Sequence, residues 1–204
     1  MKTLFRLLPL LLIAACNSNV KNPTNEDTVS NNEDTLCCCP HAYILLQPYG
    51  DFTQQEAEKL APKITESLNK VYAGDWTYVK VLPNKPLPES AYYKPRNRYL
   101  ANELLKDLGN HDEYIIGLTH KDISWNTHGE SNYGIMGLTP LKQQKSIVSD
   151  YRTNDLLAVI THEFGHGFWG AKHCTDPNCI MCDYQKHKGK PFVYECCEKH
   201  RFMQ

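Results

Sequence analysis

The spacing of apolar and polar side chains changes several times along the chain, and each change predicts an element. Leu7 to Ala15 is a continuous apolar run behind Lys2 and Arg6, too short to span a bilayer as a mature helix. The polar stretch from Asn17 to Leu36 that follows has almost no large apolar side chain and cannot bury enough surface to fold. Tyr43 to Gln47 (YILLQ), closed by Pro48 and Gly50, has the pattern of a buried strand. Thr53 with Glu56 three residues on makes a capping box, after which Ala57, Leu60, Ile64, Leu68 and Val71 recur at helical spacing. Thr77 to Leu82 alternates as a strand does, and Pro83, Pro86 and Pro88 then impose an irregular loop. Arg98 to Leu108 predicts a helix stopped by Gly109, Glu113 to Leu118 (EYIIGL) a second buried strand, and the Gly-interrupted Tyr133 to Thr139 (YGIMGLT) an edge strand. From Asn154 the period turns helical again, with Leu156, Leu157, Val159 and Ile160 leading into the segment that carries the chemistry.

At 204 residues, with 41% hydrophobic and 10% aromatic side chains, the chain suits one globular domain with appendages. Lys+Arg 22 against Asp+Glu 23 leaves no basic surplus and disfavours a nucleic-acid partner. The apolar run ends Ile13-Ala14-Ala15-Cys16, which resembles the lipobox of bacterial lipoproteins. That resemblance implies a signal peptide over 1–15, a lipid-modified Cys16, and a bacterial cell-envelope location in which membrane contact is through the anchor only. Asn17, where an Asp would signal inner-membrane retention, points to the outer membrane. Residues 16–36 then form a flexible tether whose ends lie on the order of 25 Å apart, and 37–204 form the folded domain, expected as a monomer.

Nine Cys and nine His are a heavy load for this length, and they cluster toward the C-terminus. His162, Glu163 and His166 form H-E-x-x-H within a predicted helix, and a four-residue step puts both imidazoles on one face. That is the spacing of two zinc ligands, with Glu163 beside them able to take a proton from metal-bound water and pass it to a leaving amine. A catalytic zinc needs a third protein ligand and an open position. Gly170 can end the helix in a left-handed conformation and reverse the chain, bringing His173 to the metal from a direction closed to helical residues.

The run HEFGHGFWGAKHC, followed after four residues by CIM, resembles the archaemetzincin family of metzincin zinc peptidases. Cys174, the four residues Thr175 to Asn178, then Cys179, Ile180 and Met181 follow the family pattern without a gap. Gly170 stands four residues after His166 instead of three, so one residue is inserted, and a π-bulge or a longer turn would absorb it. The resemblance implies an α+β, metzincin-like fold: a twisted mixed sheet with backing helices above the cleft and a small, irregular, zinc-stabilised C-terminal subdomain below. It makes Met181 an apolar floor under the catalytic zinc and Tyr133 to Thr139 the edge to which a peptide substrate adds as a strand. The Pro-rich loop and Asn126 to Asn132 would narrow that cleft.

The resemblance also implies a structural zinc held by four thiolates. Cys174, Cys179 and Cys197 match three of them, and His200 stands near the place of the fourth, giving Cys3His and two zinc ions in all. Cys182 and Cys196 are alternatives, and disulfides are open to an exported chain; Cys37, Cys38 and Cys39 have no assigned role. The activity implied is zinc-dependent peptide hydrolysis, aminopeptidase-like and of restricted range. A noncatalytic, zinc-stabilised surface lipoprotein that binds peptide or cell wall is the alternative, and hydrolysis of a nonpeptide amide a third reading. Tyr184 is read as packing, His111, His120, His128 and His187 as surface or loop residues, and Trp76, Trp125 and Trp169 as packing, with Trp169 near the cleft.

Overall fold

Alternation along buried strands decides which face of the sheet each helix covers. In β1 (Ile44–Pro48), Ile44 and Leu46 point to one side and Leu45 to the other, and in β5 (Tyr114–Thr119) Tyr114, Ile116 and Leu118 oppose Ile115. The first side packs against α1 (Gln54–Val71) and α3 (Leu156–Phe164) through Ile64, Leu68, Val71 and Phe164. The second packs against α2 (Ala101–Leu108) through Leu104, Leu105 and Leu108. A sheet covered on both faces reads as unbroken apolar runs, which is why YILLQ and EYIIGL announce themselves in the sequence.

The computed structural model describes residues 43–127, 129–183 and 190–204. Cys16, the tether, Cys37 to Cys39, His128, Tyr184 and His187 lie outside the described residues. With β2 (Val79–Val81) and β9 (Lys145–Ser149), strands β1 and β5 run parallel in the order β2-β1-β5-β9. The short β8 (Gly137–Leu138) closes that sheet antiparallel to β9. A second, smaller sheet has the order β3-β4-β6-β7, from β3 (Tyr92–Tyr93), β4 (Arg98–Leu100), β6 (Ile123–Thr127) and β7 (Glu130–Ile135). The expected architecture of mixed strands and backing helices is present, divided between two mixed sheets.

Three expectations change. Arg98 to Leu100 is a strand, and the helix begins only at Ala101. The cause is Asp122, whose buried carboxylate takes Arg98 Nε at 2.6 Å and Arg152 Nε and Nη2, each at 2.6 Å, while Tyr99 N donates to Asp122 O at 2.8 Å. Extended backbone aligns these bonds with the parallel pairing of β4 to β6. The stretch Tyr133 to Thr139 is also not one strand: β7 pairs with β6, the chain crosses at Met136, whose carbonyl accepts from Ser149 N at 2.8 Å, and β8 joins the main sheet. Thr77 to Leu82 pairs only over Val79–Val81. The capping box is present, with Glu56 N donating to Thr53 Oγ1 at 3.2 Å and Thr53 N to Glu56 Oε2 at 2.7 Å. Among the described residues after α3, the chain is irregular apart from a π turn at Gly165–Trp169 and a 3-10 helix at Glu198–Met203.

Because Asp122 alone neutralises two guanidinium groups that join the small sheet to the segment before α3, Asp122→Asn is expected to destabilise the protein by about 2–3 kcal/mol. That is at or just below the bottom of the roughly 3–5 kcal/mol range for breaking a buried ion pair, since both arginines keep some contact with water. Urea unfolding with an unchanged m-value would check it.

Candidate metal centres and catalytic cleft

Helix α3 starts where Asp155 accepts from Ala158 N at 3.0 Å, and it is buried on almost every side, so its few polar residues require specific partners. His162 Nδ1 lies 2.7 Å from the Ile180 carbonyl and His166 Nδ1 lies 2.6 Å from that of Ala171. A carbonyl only accepts, so each Nδ1 carries the proton, and a neutral ring then presents a lone pair at Nε2. Burial holds His166 below the usual histidine range, favouring that neutral form.

The inserted residue is taken up by the π turn. Gly170 N bonds the carbonyls of Gly165 and His166, Ala171 N donates to Gly165 O at 3.1 Å, and Gly170 adopts φ +67. That left-handed residue reverses the chain, and His173 comes back over the helix. The Nε2 atoms of His162, His166 and His173 lie 3.0 Å from one another in all three pairs. Lone pairs brought this close repel unless a cation stands among them. The donor set of three imidazoles, two of them oriented by carbonyls, fits a zinc ion with an open position.

Glu163 lies beside this triad and is itself buried. Loss of water pushes its carboxyl up to about 7, partly offset by the Thr139 hydroxyl and by His173. It is lodged against β8, where a Cβ on Gly137 would come within 2.6 Å of Oε1, so only glycine leaves it room. Met181 is fully buried beneath Gly165, and a Cβ there would meet its sulfur at 2.6 Å. Tyr72 Oη lies 3.8 Å from the same sulfur and donates to Thr161 O at 2.7 Å.

His162, His173 and Glu163 open onto a cleft of about 300 Å³ whose other walls include Tyr133, Ile135, Val159, Arg152 and Phe192. Its strand wall is β7 and β8; among the described residues, none from the Pro-rich loop or from 126–132 lines it. Trp169 is not among its lining residues and packs edge-on to Phe168 at 5.3 Å. Arg152, Phe192 and Thr139 were not foreseen in these positions. Gly137 carried a signal, as a glycine interrupting an apolar edge; a lone Arg or Phe carries none.

A second cluster lies beneath. Cys174, Cys179, Cys197 and His200 bring their ligand atoms within 4.8 Å of one another. His200 Nδ1 is 3.4 Å from Cys179 Sγ and 3.3 Å from Cys197 Sγ, and its Nε2–H donates to the Lys172 carbonyl at 2.9 Å. Burial pushes the Cys179 thiol up to about 12, so a thiolate there requires a cation. Three sulfurs and one imidazole nitrogen fit tetrahedral zinc. Cys182 and Cys196 face elsewhere, toward the carbonyls of Asp183 and Val71 at 3.7 and 3.8 Å, and all five described cysteines are free thiols. His111 bonds Leu108 O at 3.0 Å and His120 bonds Asp150 at 2.8 Å, both away from either cluster.

No protein-family model matches the chain. It is 36% identical over 107 residues to an archaemetzincin of Methanopyrus kandleri, the match covering 47% of this chain and 58% of that protein. It is 24% identical over 153 residues to an archaemetzincin of Methanocaldococcus jannaschii, covering 68% and 78%. The crystal structure of the Methanopyrus kandleri archaemetzincin superposes with a TM-score of 0.59 at 27% identity, over 78% of this chain and 91% of that one. An archaemetzincin from Archaeoglobus fulgidus, crystallised with malonate, shares the fold with a TM-score of 0.61 at 24% identity, over 79% and 99%.

Removing the ligand delivered by the chain reversal isolates its contribution. His173→Ala is expected to weaken zinc binding at the triad by more than about 100-fold, beyond the 10–100-fold typical of outer-shell changes. Chelator competition on protein whose thiol cluster stays loaded would measure it, and unchanged affinity would hand the third position to another group.

Proposed function

We propose that this chain, similar in sequence and fold to archaemetzincins, is a zinc-dependent peptidase of that family whose chemistry is carried out at His162, His166, His173 and Glu163. The observation that carries this reading is the convergence of three Nε2 atoms within 3.0 Å of one another beside a buried carboxylate, at the floor of an open cleft. A zinc ion held by the three imidazoles would supply Lewis acidity to a water and to the scissile carbonyl.

The rest falls to the chain. Glu163 accepts the proton of the attacking water and returns it to the leaving amine. Gly137 leaves room for the carboxylate, and Ile180 and Ala171 fix two imidazoles through their carbonyls. The unpaired edge of β8 offers backbone groups to an extended peptide, and the apolar wall of Ile135, Val159 and Phe192 receives a side chain next to the scissile bond. Asp176, Asp183 and Glu198 around the hollow beside His173 support an aminopeptidase-like preference through attraction of a free α-amine. A noncatalytic binder has no use for a carboxylate buried at this cost beside three imidazoles.

Two zinc ions per chain are part of the same proposal, the second in the Cys174, Cys179, Cys197 and His200 cluster. Glu163→Gln is expected to keep both ions and lower peptide hydrolysis by about 10²–10⁴-fold. The assay compares peptides with free and acetylated N-termini: equal rates for variant and wild type would remove Glu163 from the mechanism, and equal rates for the two peptides would remove the preference for an amine.

Export and anchoring are proposed from the lipobox resemblance alone. No helix among the described residues is long and apolar enough to cross a membrane. Labelled palmitate is expected to enter the wild-type chain and not Cys16→Ser, with the variant lost from the outer-membrane fraction. A wild-type chain that stays unlabelled would end the lipoprotein reading.

A further inference from the structure

The triad and the thiol cluster share one short stretch of backbone. His173 and Cys174 are consecutive and serve different clusters, so whatever fixes residues 171–174 fixes the third imidazole. Ala171 is tied through both of its backbone groups, its N–H to the Gly165 carbonyl and its own carbonyl to His166 Nδ1. Cys174 is tied to the segment below, its N–H to Met181 O at 3.0 Å and its carbonyl to Asp183 N at 3.1 Å. Between them, the Lys172 carbonyl accepts from His200 Nε2 at 2.9 Å.

That last bond involves a side chain of the other cluster. The Lys172 carbonyl and the His173 N–H belong to one planar peptide group, so holding the oxygen orients the bond from which His173 departs. His200 is 1% exposed, and water does not compete for its N–H. Its other nitrogen faces Cys179 and Cys197. An imidazole has two distinct edges and can serve both tasks; a cysteine at this position, as the family pattern has, would offer a thiolate and nothing to hold Lys172.

We propose that His200 is a positioning residue for the triad, facing the thiol cluster with Nδ1 while its Nε2–H holds the Lys172 carbonyl and so sets where His173 enters. The proposal rests on the two-zinc reading above. It assigns a function to the departure from four thiolates: the imidazole makes occupancy of the lower cluster felt at the upper one. The extra residue in the π turn lengthens the segment between His166 and His173, and a second point of attachment limits the freedom this adds.

His200→Cys separates the two tasks because it restores four metal ligands and deletes the N–H, whereas His200→Ala deletes both. Zinc is counted on the full purified chain, and triad affinity is read by chelator competition. Wild type and His200→Cys are each expected to bind two ions, with the dissociation constant at the triad raised about tenfold in His200→Cys, and His200→Ala is expected to lose the second ion. A triad affinity in His200→Cys within about twofold of wild type overturns the proposal. Should the shorter side chain fail to complete the lower site, the unaltered protein loaded with cadmium-113 decides by NMR. Coupling from the metal to His200 Nδ1, with a slowly exchanging Nε2–H, supports the proposal; coupling to Nε2 overturns it. Wild type that binds one ion defeats the two-zinc reading and this inference with it. Two ions, the expected coupling and no peptidase activity would defeat the peptidase reading and leave the positioning role standing.

Discussion

A single helix can bring two imidazoles to one point, four residues apart, and cannot bring a third. The triad therefore depends on a chain reversal immediately after the helix, and most of what surrounds it serves to hold that reversal. Gly170 supplies the left-handed turn, and the hydrogen bonds from Gly170 N and Ala171 N to the Gly165 carbonyl seat it on the helix end. The same contacts set the rings: Ala171 can accept from His166 Nδ1 only because the chain has doubled back, and Ile180 can accept from His162 Nδ1 only because the C-terminal segment passes beneath. Positioning of the ligands and closure of the fold are thus one set of bonds.

The lower segment has few means of ordering itself. Among the described residues after Cys174, Cys179, Ile180, Met181, Cys182 and Met203 are the buried apolar side chains, and the regular backbone pairing is a single bridge between Cys174 and Cys182. Burial on that scale is small against the conformational entropy of about thirty residues at roughly 1–2 kcal/mol each. A four-ligand ion, as proposed for the Cys174, Cys179, Cys197 and His200 cluster, would close the deficit, since binding free energy at a site absent from the unfolded chain is folding free energy. Two further attachments tie the end of the segment to α1: Ala73 N donates to Met203 O at 2.8 Å, and Cys196 Sγ meets Val71 O at 3.8 Å.

What could be read from the sequence was whatever depends on near neighbours. The capping box, the apolar strands of the main sheet, the two helical histidines and the glycine that follows them are local patterns with local causes. The grouping of Cys174, Cys179, Cys197 and His200 was legible only through the resemblance to a known family, since spacing alone left Cys182 and Cys196 as alternatives. The small sheet was hidden. Its strands are short, and Arg98 to Leu100 is extended because of a carboxylate more than twenty residues away that the helical pattern does not reveal. Strand β9 (KSIVS) has only Ile147 and Val148 as apolar members, and it becomes a strand because β5 offers it a parallel edge. The division of YGIMGLT between two sheets likewise follows from where Ser149 finds the Met136 carbonyl, a contact invisible to periodicity.

The electrostatics of the cleft return to the same reversal. Glu163 is enclosed by Gly137 on β8 and by its own helix, so water cannot stabilise its charge, and its carboxyl rises to about 7. His173 is one of two groups that pull it back, and it does so from the far side of the chain reversal. A dication among the three imidazoles would act in the same direction and more strongly, because Coulomb attraction is little screened where water is excluded. On the proposed mechanism, a loaded triad would therefore favour the ionised form that proton transfer requires. On that reading an unloaded site would leave Glu163 closer to neutral, and the proton acceptor would reach full strength only once the reversal that aims His173 has closed.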